Sequence, residues 1–169
     1  MGLDMYLHAE KYISRNDYNS FDRETMDFPP TNPLFDTLIS ATESENLIDK
    51  ADWTGIKVEI PVGYWRKANA IHGYIVQQHA GGVDECQRIQ LTAEDLRVLR
   101  DLCLEVINHH HDGGSTAMAE SILPTSQGFF FGSYAYDEYY YQDLRHTIDI
   151  CNRALSESDC DYFIYQASW

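Results

Sequence analysis

The chain has 169 residues, of which 44% are hydrophobic and 13% aromatic, and its 27 acids against 12 Lys and Arg give a formal net charge of -15. That apolar and aromatic content excludes a chain that stays disordered, and the length suits one domain with a sizeable core. The negative field repels phosphate backbones and anionic lipid, which argues against direct nucleic-acid binding and favours a basic partner, although solubility alone accounts for many acidic surfaces.

Leu3, Met5 and Leu7 alternate with Asp4, Tyr6 and His8, the two-residue period of a half-buried strand, here expected over residues 2–13. From Ser14 to Trp53 the pattern dissolves around Pro29, Pro30 and Pro33, and nine acids between Asp17 and Asp52 face only Arg23 and Lys50. This reads as a long acidic insertion at 14–52, with a short helix near Asn32 to Ser40. Residues 56–60 alternate again, and Pro61 and Gly63 are expected to end that strand before a helix beginning near Tyr64. On that helix Trp65, Ala68, His72, Ile75, Val76 and His79 share a face, and Gly81-Gly82 stops it.

Thr92 followed by Asp95 predicts a capped helix carrying the apolar stripe Leu96, Leu99, Leu102, Cys103, Val106 and Ile107. Gly128 to Gly132, with three phenylalanines, reads as a short strand buried on both faces. A helix over 136–155 and a strand over 162–166 close the order. The sum is an α+β fold: a single domain over 1–169, with a mixed β-sheet packed by about three helices and the irregular insertion near the N-terminus.

No stretch approaches the ~20 apolar residues of a membrane span. The start MGLDMYLHAE lacks a basic segment followed by an apolar run, so the protein is expected in reducing cytosol, with no membrane association. Cys86, Cys103, Cys151 and Cys160 show no CxxC spacing and are expected as free thiols. HExxH, Walker A, GxSxG and GxGxxG signatures are absent, which leans away from an enzyme and implies no cofactor.

Four segments carry a resemblance: the start Gly2-Leu3-Asp4-Met5-Tyr6-Leu7, the run Gly63 to His72 (GYWRKANAIH), Gly82 to Cys86 (GVDEC), and Leu123-Pro124-Thr125 through Gly128 to Ser133 (GFFFGS). In combination they resemble an uncharacterised family of small bacteriophage and prophage proteins, over most of the chain outside 14–52. The resemblance implies the cytosol of a host cell and a context of accessory proteins that bind or inhibit host machinery. It implies no catalytic residue.

Three stretches invite a functional reading. Arg66, Lys67, Asn69 and His72 sit where the expected helix begins, a place suited to a small anionic ligand such as a phosphate or nucleotide. In an enzymatic version His72 is the general acid or base and Lys67 the phosphate clamp. The alternative is that the cations pair with nearby acids and His72 is a hydrogen-bonded core residue. Tyr136, Asp137, Glu138 and Tyr140 interleave rings with carboxylates, which suits a surface for a basic protein; the same residues also suit a packed sheet-to-helix corner with acids at a helix N-terminus. His109 and His111 are weak candidates for a metal, because neighbouring histidines rarely converge on one ion, and a helix C-terminus explains the run equally well.

Overall fold

The computed structural model describes residues 2–20, 29–47, 55–111, 113–128, 131–156 and 160–169. The strands are β1 (Asp4–Ser14), β2 (Gly55–Arg66), β3 (Ile89–Leu91) and β4 (Tyr162–Ser168); the helices are α1 (Pro33–Ala41), α2 (Asn69–His79), α3 (Ala93–His111), α4 (Ala117–Ile122) and α5 (Glu138–Ser156). The strands form one sheet in the order β2-β1-β4-β3, and the fold is α+β, as expected. Within that class the sheet is antiparallel rather than mixed, and β3 faces β4 in the register Ile89 to Tyr165 and Leu91 to Phe163. Among the described residues no helix is long and apolar enough to cross a membrane.

Contacts divide the chain into two compact units, Glu10–Glu59 and Met1–Ala9 with Ile60–Trp169. In the first, Asn32 caps α1 by accepting from the Leu34 N–H (3.0 Å), Pro33 occupies the opening turn, and Phe35 is buried. The Asp17 N–H donates to Pro30 O and the Asn32 N–H to Arg15 O, so the helix entry is stitched to the chain leaving β1. Glu10, 1% exposed, is ion-paired with Lys57.

The second unit holds the larger core. Leu3 and, from β1, Met5 and Leu7 are fully buried, as are Leu144, Ile150, Cys151 and Ala154 of α5, which packs on α3, the helix that buries Leu96, Leu99, Cys103 and Val106. The α3 start is a reciprocal cap: the Thr92 N–H donates to Asp95 Oδ2 (2.7 Å) and the Asp95 N–H to Thr92 Oγ1 (3.2 Å). A Cβ at position 63 would come within 2.5 Å of the Ile150 side chain, so glycine there lets α5 lie close on β2. Beside it, Trp65 Nε1 donates to the buried Thr147 hydroxyl at 2.9 Å. As an outer strand β2 has carbonyls that no neighbouring strand of the sheet takes up; Arg153 Nε donates to Val62 O (3.2 Å), and His146 Nε2 bonds Tyr64 O (2.8 Å).

Two expectations are corrected. The helix expected from Tyr64 begins at Asn69, because β2 runs on through Pro61 and Gly63 to Arg66. Within sheets proline is found on edge strands and at bulges, and β2 is an outer strand. Lys67 then takes a left-handed φ of 61° where strand gives way to helix, and its N–H donates to Leu3 O (2.8 Å). The phenylalanine-rich segment is also not a strand where it is described: the Phe131 N–H turns back to Gly128 O (3.2 Å), and Gly132 has φ 92°. Phe129 and Phe130 lie outside the described residues.

Candidate functional site

The β2–α2 junction and the start of α5, flagged separately in the sequence, line one cleft of about 420 Å³. Arg66, Lys67, Ala68 and Asn69 come from the junction, and Asp137, Tyr139, Tyr140, Asp143 and Leu144 from α5 and its cap. The remaining wall is the loop that carries Thr125, Gly132 and Ser133.

Asn69 fixes that loop. Its buried amide donates from Nδ2 to Phe131 O (3.1 Å) and Ser133 O (2.7 Å), and its Oδ1 accepts from the Ser126 N–H (3.1 Å). Both donors are spent on backbone, so Asn69 shapes the cleft and has no N–H left to offer an anion. Tyrosines hold the same loop from the other side: the Tyr140 hydroxyl donates to Leu123 O (2.9 Å), and the Thr125 N–H donates to the Tyr136 hydroxyl (3.2 Å). Tyr140 is buried and Tyr136 half-buried, so the expected display of four residues reduces to Asp137 and Glu138 at the surface. Glu138 is engaged by Arg145 (2.5 Å), whose hydrogen bond holds its carboxyl below the usual range.

The residues that sequence reasoning missed are Tyr139 and Asp143. Tyr139 is 75% exposed, the most open of the large apolar side chains among the described residues. Asp137 caps α5 with one oxygen, Oδ1, which accepts from the N–H groups of Tyr139 (3.0 Å) and Tyr140 (3.2 Å) and leaves Oδ2 uncommitted to the helix. Asp143 is half-buried in the cleft wall, and its carboxylate makes no hydrogen bond among the described residues. Burial pushes its carboxyl up to about 6; His146 opposes the shift and Asp137 adds to it. Arg66 and Lys67 line the other wall, and Arg66 lies 3.9 Å from Asp4. The cleft is therefore polarised, cationic at the β2–α2 junction and anionic along α5.

His72 lies outside the cleft lining. It is 2% exposed, with Nδ1 at 2.7 Å from the Tyr165 hydroxyl and Nε2 at 2.8 Å from Asp84 Oδ2, and the Phe131 ring stands edge-on to it. Burial raises the pKa of Tyr165, which keeps its proton beside the imidazole. With both nitrogens committed and the ring buried, His72 is placed as a hydrogen-bonded core histidine and does not line the cleft that holds Lys67. The network joins α2, the 82–88 loop and β4, and Gln166 Nε2 reinforces it by donating to Cys86 O (3.1 Å).

His109, His110 and His111 occupy the last turn of α3. The His109 ring lies over Gly114, where an added Cβ would come within 2.2 Å, and His110 stacks on Tyr141 at 3.8 Å between ring centres. Among the described residues no three His, Cys, Asp or Glu side chains converge for a metal. Cys103 and Cys151 are buried thiols with pKa values raised by burial, that of Cys151 to about 12, so they stay protonated and unreactive.

No family model, no curated protein and no solved structure matches this chain.

Proposed function

We propose that the chain works by binding, as a phage-type accessory or counter-defence factor of the host cytosol that engages a basic host protein through the acidic wall of this cleft. The observation that carries the reading is Asp143: a half-buried carboxyl, raised to about 6, lines a cleft beside Asp137 and exposed Tyr139 and makes no hydrogen bond among the described residues. An internal arrangement that leaves a desolvated carboxylate without a partner costs stability, and a cation from outside would relieve it. The net charge of -15 steers such a partner at long range. A second reading has its own observation, since Arg66 and Lys67 line the same cleft and would take a small anion such as a phosphate.

Native mass spectrometry on protein purified untagged from its host separates the two, with an Asp137→Ser, Asp143→Asn variant alongside; serine keeps the α5 cap while removing the charge. The expected result is a basic protein bound to the wild type, absent from the variant and released by about 0.5 M salt. A basic protein retained by the variant overturns the reading. A small anion lost on Arg66→Ala, Lys67→Ala substitution would replace it with the second.

A further inference from the structure

The acidic wall of the cleft is built for a flat cation. Two carboxylates line the same cleft: Asp137 at the α5 cap, whose Oδ2 takes no part in the cap, and Asp143, whose oxygens make no hydrogen bond among the described residues. The exposed ring of Tyr139 stands in the same wall, between them in sequence on the first turns of α5. Ala68, Ile71 and Leu144 are buried behind this lining and give it a rigid backing. An ammonium is a compact, strongly hydrated charge that gains little from a ring face. A guanidinium is planar, offers five N–H donors in a fixed fork, is weakly hydrated and stacks on aromatic rings. Two carboxylates and a ring face use each of those properties. Arg66 and Lys67 on the opposite wall repel a cation that strays toward them and leave the α5 side as the favourable place for it.

We infer that the cleft receives an arginine side chain of the partner in preference to a lysine, its guanidinium held by the carboxylates of Asp137 and Asp143 against the ring of Tyr139. This rests on the proposal that the acidic wall binds a basic protein, and names the side chain that it recognises. The partner backbone stays outside the cleft.

The test titrates N-acetyl-arginine methylamide and N-acetyl-lysine methylamide separately into the isotopically labelled full chain at pH 7.5, following backbone amide shifts. The arginine compound is expected to move the amides of residues 135–144 and to bind about three- to fivefold more tightly than the lysine compound, the increment of one ring-to-guanidinium contact. Tyr139→Leu, at an exposed position that leaves the fold undisturbed, is expected to bring the two compounds to parity. Asp143→Asn is expected to weaken both by about tenfold, the loss of one charged hydrogen bond. Equal binding of the two compounds by the wild type, or a preference that survives Tyr139→Leu, overturns the arginine inference and leaves the basic-partner reading standing. If neither compound moves the 135–144 amides at concentrations of tens of millimolar, the inference and the reading beneath it both fall.

Discussion

The Asp84–His72–Tyr165 network and the Asp137–Tyr139–Asp143 wall use the same kinds of side chain, yet the first is closed and the second open. In the network each imidazole nitrogen has a partner within 2.8 Å, and the histidine is 2% exposed. In the wall one carboxylate has an oxygen free of the helix cap and the other has no hydrogen bond at all among the described residues. A polar group whose hydrogen bonds are complete inside the protein stabilises the fold; one held half-desolvated and incomplete stabilises it less than a neutral residue would, and its retention points outward to a ligand. Composition alone does not separate the two cases, since His72 looks more catalytic than Asp143 in a bare sequence.

The largest effect that tests this contrast is expected from His72→Ala. It strands the Tyr165 hydroxyl and the Asp84 carboxylate and opens a void in the core, so a loss of about 3 kcal/mol is expected in urea unfolding. A loss below about 1 kcal/mol would show the network to be less closed than its distances indicate. Next is Asp143→Asn, with the opposite sign. The folded carboxyl near 6 lies above the ~3.9 of an unfolded aspartate, so the folded state is favoured while the group is protonated. That advantage is whole below about pH 4 and disappears as pH rises through 6. Asparagine removes the dependence, and at pH 7.5 the variant is expected to be about 1 to 2 kcal/mol more stable than wild type, with the gap closing below pH 4. A variant that is less stable at pH 7.5 would mean that Asp143 is held by an internal partner. The smallest effect is expected from Tyr139→Leu, which should change stability by less than about 0.5 kcal/mol while altering binding.

Periodicity made the helices legible where a long apolar stripe repeats. The Thr92–Asp95 cap and the Leu96 to Ile107 stripe fall on α3, and Tyr140, Leu144 and Cys151 fall inward on α5. β3 has three residues, too few to show a period, and α4 has six. The helix boundary at Tyr64 failed for a tertiary reason: Pro61 and Gly63 are breakers in isolation, whereas an outer strand tolerates the proline and α5 requires the glycine. The site was half legible. Arg66, Lys67 and Asp137 do line the cleft, but that they share one depends on the loop that Asn69 pins, a contact across more than fifty residues with no local signal. Asp143 did leave a trace. It adjoins the inward stripe Tyr140, Leu144, Thr147, so a helical projection places a carboxyl at the margin of a buried face.

His146 and Arg153 reach from α5 to the outer carbonyls of β2, and this bears on how the protein behaves when crowded. An unprotected outer strand is a template, since any extended chain of another molecule can continue the ladder. Here the acceptors at Val62 and Tyr64 are already taken by side chains from the molecule's own helix. A strand arriving from a neighbouring copy would have to displace a guanidinium and an imidazole for each pair of bonds it made. The helix that presents the acidic wall on one side thus covers part of the open edge of β2 on the other.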